Sequence, residues 1–223
     1  MSIGRILIVL GIVVAGSAAV YSLRPDIAPA VDFVDDLTGP TSSQFNIPFD
    51  KYMLTPEGLR RVQSDSGRLN GTDRPVVRTL SDLYLSRDFV FEVDITIPPD
   101  VEDLVFVGFG EGAATAPFNE PGGAFGFRIH HMPTNREVRL AAITHPPAGV
   151  GPTYPFNEMI GIVPENGAFT VRLERAGDQL IGSMPGQDGS ESTLEISAYP
   201  EILGRGRGFL YLSNTAEGTV FNK

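Results

Sequence analysis

The stretch "DFVFEVDITI", residues 88–97, alternates apolar and polar side chains. Phe89, Phe91, Val93, Ile95 and Ile97 fall on one side; Val90, Glu92, Asp94 and Thr96 fall on the other. Successive side chains of a strand point to opposite faces, so this period of two predicts a half-buried β-strand. Pro98-Pro99-Asp100 ends it, because proline has no N–H to give to a ladder.

The same reading extends along the chain. "DLVFVGFG" (103–110) is apolar on both faces, as a central strand is. "GAFGFRIHH" (123–131) turns Phe125, Phe127 and Ile129 inward and Arg128 and His130 outward. "EVRLAAI" (137–143) is a further apolar strand. "AFTVRLERAGDQLIGSM" (168–184) predicts a hairpin with Phe169, Val171 and Leu173 inward, Thr170, Arg172 and Glu174 outward, and a turn at Ala176-Gly177-Asp178. "STLEISA" (192–198) and "GFLYLSN" (208–214) complete the set, with weaker strands in "GLRRVQSDSG" and "RPVVRTL". Two stretches, 111–122 and 144–167, are expected to be long loops. Strands at this spacing without a helical period or an internal repeat indicate an all-β fold: a two-sheet antiparallel β-sandwich, or jelly roll, preceded by an N-terminal hydrophobic helix.

Composition narrows the function classes. The 223 residues carry 17 basic and 27 acidic side chains, a net charge of −10, which argues against nucleic acid because phosphate binding needs a basic face. Arg205 and Arg207 in "GRGRG" read as a solvated turn rather than a polyanion site. There is no cysteine, so disulfides, cysteine–zinc sites and a cysteine nucleophile are excluded.

At the N-terminus, Arg5 precedes an uncharged run from Ile6 to Leu23, 18 residues long. That length is at the lower limit for crossing a bilayer core of about 30 Å. Residues 1–23 therefore read as a signal peptide or a membrane anchor, with Gly16-Ser17-Ala18 offering small residues for cleavage. Residues 24–44 read as a linker and 45–223 as the sandwich. An exported, cysteine-free domain is expected to be bacterial and extracytoplasmic: periplasmic, secreted or membrane-anchored.

The strand leading from "RTLSDLYLSRDF" into "VFEVDITIP", then "VFVGFGEG", then "FTVRLERAGDQLIGSM" followed by "GFLYLSN", resembles the concanavalin A-like lectin/glucanase superfamily. The resemblance covers residue 45 to the C-terminus. It implies a jelly-roll sandwich and a bias towards carbohydrates, but no particular reaction. Glucanases of this superfamily carry Glu-x-Asp-x-Glu on one strand. Placed on this chain, that motif makes Glu92 the nucleophile and Asp94 its assistant, and puts Thr96 where the acid/base belongs. A threonine hydroxyl has no pKa near neutrality and does not protonate a leaving group.

The candidate ligand-binding residues are Glu92, Asp94, Arg128, His130, Arg172 and Tyr154. In one reading, the outward acids and bases on three strands are cross-strand pairs on a wet face. In the other they line a groove beneath residues 144–167, where Arg128 holds a carboxylate or sugar hydroxyls and His130 acts near neutral pH. Tyr154 and Phe156 either stack on a ligand or plug their loop onto the sandwich. Adjacent strand residues face opposite ways, so His130 and His131 do not chelate one metal. No cofactor is expected, calcium apart: Asp65, Asn70 and Asp73 are oxygen ligands of the kind it takes, although a polar turn is the plainer reading. The leading expectation is a non-enzymatic exported module that binds glycan or protein at the cell surface. The partners are then a glycan or a cell-surface protein, and the membrane itself if the N-terminal helix stays uncleaved. The alternatives are a carbohydrate-active hydrolase or lyase using the groove, and a structural module of an envelope complex.

Overall fold

The computed structural model describes residues 35, 37–42, 44–63, 76–82, 88–110, 123–144, 153–177, 179–185, 190–197 and 208–222. Within them the chain forms strands only: β1 Phe45–Asn46, β2 Tyr52–Thr55, β3 Gly58–Arg61, β4 Val77–Thr79, β5 Phe89–Thr96, β6 Asp103–Gly110, β7 Gly123–His131, β8 Glu137–Thr144, β9 Thr153–Ile162, β10 Ala168–Ala176, β11 Gln179–Pro185, β12 Glu191–Ser197, β13 Phe209–Asn214 and β14 Val220–Asn222. No helix among the described residues is long and apolar enough to cross a membrane. The N-terminal segment 1–23, Arg205, Arg207 and the calcium candidates Asp65, Asn70 and Asp73 lie outside the described residues.

The strands pair antiparallel in two seven-stranded sheets. Sheet A runs β1-β4-β13-β6-β7-β8-β9 and sheet B runs β12-β11-β10-β5-β14-β3-β2. Each sheet buries an apolar face against the other in a shared core. Val93, Ile95, Val171 and Leu173 of sheet B pack there with Val107, Phe127, Ile129, Leu140 and Leu212 of sheet A. The rings of Phe89 and Phe91 meet Phe109 across the interface, with centroids 4.8 and 5.9 Å apart. The inner faces of β5, β7 and β10 are those the alternation predicts.

β6 is the middle strand of sheet A and is buried on both sides. Its outward Phe106 belongs to a second apolar cluster with Val76, Ala124 and Tyr211, on the face away from the main core. Gly108 of β6 stands opposite Gly126 of β7. A Cβ at Gly126 would lie 2.3 Å from the Val107 carbonyl oxygen, and one at Gly108 would lie 2.2 Å from that of Phe125, so both positions exclude side chains.

Two expectations are corrected. Residues 144–167 are not one loop, because Thr153–Ile162 form β9, the edge strand of sheet A. Pro155 suits an edge, where a missing N–H breaks no ladder. Two register shifts against β8 scramble the alternation that would have marked the strand. Leu37, inside the stretch expected to be a linker, is buried in the core.

The crossing from sheet A to sheet B between β13 and β14 is held by one carboxylate. Asp103, at the start of β6 and 1% exposed, accepts bonds from Thr215 N, Thr215 Oγ1, Ala216 N, Asn214 Nδ2 and Thr219 Oγ1 at 2.5–2.9 Å. Beside it, the buried guanidinium of Arg61 donates to the Asn214 carbonyl and stacks on Tyr52.

Candidate functional site

Period two puts Glu92, Asp94, Arg172 and Glu174 on the outer face of sheet B, and Arg128 and His130 on the outer face of sheet A. The core lies between the two faces. The six candidates therefore do not share a groove: Glu92, Asp94 and Arg172 belong to one face, and Arg128, His130 and Tyr154 to the opposite one. Alternation states which side of a strand a residue takes. It does not state which sheet the strand joins, and β5 pairs with β10 and β14 rather than with β6.

On sheet B, Glu92, Arg172, Ser183 and Thr193 form one cross-strand row. With Glu174 and Ile181 they line an open depression of about 490 Å³. Arg172 lies 2.9 Å from Glu174 and 3.5 Å from Glu92, and Asp94 accepts from Thr170 Oγ1 at 2.5 Å. The hydrogen bond that Arg172 donates to Glu174, opposed by burial, holds the Arg172 pKa above its ordinary value. Positive and negative groups alternate here, as on a solvated sheet face. Thr96, exposed at the end of β5, supplies no acid.

Sheet A carries a different arrangement. Arg128 of β7 stands directly opposite Arg139 of β8. Arg128 donates to His130 Nε2 at 3.3 Å and to Asn157 Oδ1 at 3.4 Å, and its guanidinium lies over the Tyr154 ring, 4.4 Å from the centroid. Arginine has only donors, so His130 Nε2 accepts and the ring proton sits on Nδ1. Arg139 is held by Glu137 Oε2 at 2.7 Å and by the Asn157 carbonyl at 3.1 Å.

Tyr154 reaches this face through the second register shift of β9. There Tyr154 and Pro155 fill the span between Thr153 and Phe156, against the single residue between Ala142 and Thr144. A bulge of this kind re-aims a side chain. Phe156, in contrast, packs on the core. Of the two residues, Tyr154 is therefore the one presented outward, 38% exposed. The residues that sequence reasoning missed are Arg139, Asn157 and Glu137. The signal for Arg139 and Glu137 was present in the alternation of "EVRLAAI"; Asn157 was hidden with β9 itself.

The electrostatics follow from crowding of cations. Burial pulls the Arg128 pKa down, Tyr154 opposes that, and Arg139 lowers it further. The His130 pKa falls below the ordinary imidazole value of 6.5, first through burial and then through Arg128, with Glu137 opposing and Arg139 adding. His130 is thus neutral at pH 7. Arg139 is held above its usual value, chiefly by the Glu137 hydrogen bond, and Glu137 is held below its own by the same bond. His131, the neighbour of His130, turns inward and is buried, with Nδ1 2.6 Å from the Val101 carbonyl. Among the described residues no three His, Asp or Glu side chains are placed to hold a metal ion.

No protein-family model matches the chain, and no curated protein matches it by sequence. Solved structures do. A β-glucanase of Bacillus licheniformis superposes with a TM-score of 0.53 at 12% identity, over 83% of this chain and 85% of that one. The VIP36 exoplasmic/lumenal domain in its Ca²⁺-bound form gives 0.51 at 11% identity, over 82% of each chain. The κ-carrageenase of Pseudoalteromonas carrageenovora, in complex with an oligotetrasaccharide of κ-carrageenan, gives 0.50 at 11% identity, over 89% and 86%. At these identities the likeness is one of fold, and the chain has the concanavalin A-like jelly-roll fold.

Proposed function

We propose that this protein is a non-enzymatic glycan-binding module whose ligand face is the β7–β8–β9 half of the outer face of sheet A. One observation carries the reading: Arg128, His130, Arg139 and Asn157 offer planar hydrogen-bonding groups on one half-exposed surface, flanked by the exposed Tyr154 ring. Sugar recognition uses fixed donors and acceptors for hydroxyls and a ring face for C–H groups. The VIP36 domain, also known in a Man₃GlcNAc-bound form, and the oligosaccharide complex of the carrageenase support carbohydrate as the ligand class. The hydrolase alternative would have to work without the shared groove, since Glu92 and Asp94 lie on the face opposite Arg128 and His130, and Thr96 is no acid.

The apolar segment Ile6–Leu23 is the export signal or anchor in this proposal, and the sandwich works outside the cytoplasm. No cofactor is invoked; a chelator that abolished binding would instead call for calcium, and Asp65, Asn70 and Asp73 are the residues to replace first. The experiment is a glycan array probed with the full-length chain and its Arg128→Ala variant. Retention of wild type with loss in the variant supports the reading. Silence of wild type across the array favours the assembly-module reading.

A further inference from the structure

Among the described residues, the large apolar side chains that stay exposed gather at two edges of the sandwich. Tyr154, Met159 and Ile162 belong to β9, the edge strand of sheet A, which packs beside β11 and β12. Phe49, Met53, Val62 and Leu80 lie at the other edge, where β1 and β2 are the outermost strands of sheets A and B. Leu80 follows β4, and its N–H bonds to the Gln44 carbonyl just before β1. Phe49, 63% exposed, sits in the short passage from β1 to β2.

The outer face of the β2–β3 hairpin gives these groups an order. Met53 stands directly opposite Arg60, and the Val62 N–H bonds to the Lys51 carbonyl, so the next outward pair is Lys51 with Val62. Alternation agrees: Tyr52 and Arg61 are buried, whereas Met53, Arg60 and Val62 are exposed. Each outward pair thus joins one apolar side chain to one cation. No carboxylate takes these positions, because Asp50 and Glu57 sit in the turns at the two ends of β2. The outer face of β5 and β10 differs, since there the carboxylates of Glu92 and Glu174 flank Arg172. Lysine and arginine lay their apolar stems along a surface and keep the charged heads in the polar layer. Apolar side chains interleaved with such cations suit the boundary between lipid headgroups and acyl chains, where the cations meet phosphates.

A bilayer is also the partner that the chain itself brings close. β1 and β2 are the first strands of the sandwich, and the chain before them carries the apolar run Ile6–Leu23. From Leu23 to Leu37, which is buried in the core, the chain reaches at most about 50 Å when fully extended. An anchor at Ile6–Leu23 therefore keeps the sandwich at high effective concentration beside the lipid, where even a weak contact is populated.

We propose that the β2–β3 edge of sheet B is a membrane-contact surface: Phe49, Met53 and Val62 enter the headgroup layer of a phospholipid bilayer while Lys51 and Arg60 reach its phosphates. The proposal rests on Ile6–Leu23 acting as an uncleaved anchor, and it is independent of the glycan reading. It leaves the β9 edge, on the other side of the sandwich, turned towards solvent.

The chain has no cysteine, so single cysteines can carry a nitroxide label. The full-length chain is reconstituted in vesicles of phosphatidylethanolamine and phosphatidylglycerol, labelled in separate preparations at Phe49→Cys, Met53→Cys and Ile162→Cys. Electron paramagnetic resonance then reads collisions with oxygen, which concentrates in lipid, and with a nickel chelate, which stays in water. Labels at positions 49 and 53 should favour oxygen and report a depth of about 5–10 Å inside the headgroup boundary. The label at 162, equally exposed in the fold, should favour the nickel chelate. Phe49→Ser combined with Val62→Ser should return the label at 53 to the accessibility of the label at 162. Two results would overturn the contact while sparing the anchor: labels at 49 and 53 as open to the chelate as that at 162, or labels shielded from both reagents, as when a second copy of the chain covers the edge. A label at 53 that stays in lipid in the double-serine variant would overturn the roles of Phe49 and Val62. Release of the unlabelled chain from the vesicles by alkaline carbonate would overturn the anchor, and the proposal with it.

Discussion

Replacing Asp103 by asparagine tests the packing logic at its most concentrated point. The carboxylate accepts five bonds: three at Oδ1, from Thr215 N, Thr215 Oγ1 and Ala216 N, and two at Oδ2, from Asn214 Nδ2 and Thr219 Oγ1. An asparagine of the same shape keeps its oxygen at the first position and puts an amide NH₂ at the second. There the NH₂ faces Asn214 Nδ2, donor against donor, while the Thr219 hydroxyl can rotate to accept. One buried donor is orphaned, at about 1–3 kcal/mol. The three remaining bonds lose their charge assistance, which roughly halves each. The sum is a loss of about 3 kcal/mol, limited by non-additivity within one network. Asp103→Ala orphans every donor and should cost more, about 5 kcal/mol. The assay is equilibrium urea unfolding. With a slope of about 2 kcal/mol per molar urea, the Asp103→Asn midpoint should fall by about 1.5 M. A midpoint shift under about 0.3 M would refute the claim that this carboxylate holds the β13–β14 crossing.

Gly126→Ala should destabilise by about 1–3 kcal/mol or more through the clash with the Val107 carbonyl and Gly108, read as a lower Tm. Gly177→Ala meets no atom, but its φ of 60° should cost about 1 kcal/mol in the same scan. Arg172→Gln breaks two partly exposed ion pairs and should change stability by less than about 1 kcal/mol in urea. His130 has a lower pKa in the folded chain than the ordinary 6.5, so between the two values the native state binds fewer protons than the unfolded one. Its contribution to stability is full above 6.5 and falls as the pH drops through that window. His130→Gln should flatten this part of the stability–pH curve, and an NMR titration should place the His130 midpoint below 6.5.

How much of this was legible in the sequence depended on what each strand asks of its neighbours. β5, β7 and β10 alternate cleanly because each has one buried and one solvated face, and their inner residues could be read one by one. β6 announced itself as central, because Phe106 and Val107 are apolar on opposite sides. β9 escaped, since Pro155 and two register shifts break the period just where Tyr154 is turned outward. β1, β2 and β14 are too short to show a period. At the site, alternation marked Arg128 and His130 as outward. It carried no information on sheet membership, which is set by long-range pairing such as Arg172 with Glu92 and Gly108 with Gly126. The Glu92–Arg128 groove failed for that reason. Arg139 entered the site only once β7 and β8 were known to be in register.

The most direct measurement of the central claim compares two single variants, one on each outer face, on the same glycan array. Arg128→Ala should lose the retained glycans, whereas Glu92→Gln should keep the wild-type profile. Loss of binding in Glu92→Gln with retention in Arg128→Ala would place the ligand on sheet B and contradict that claim.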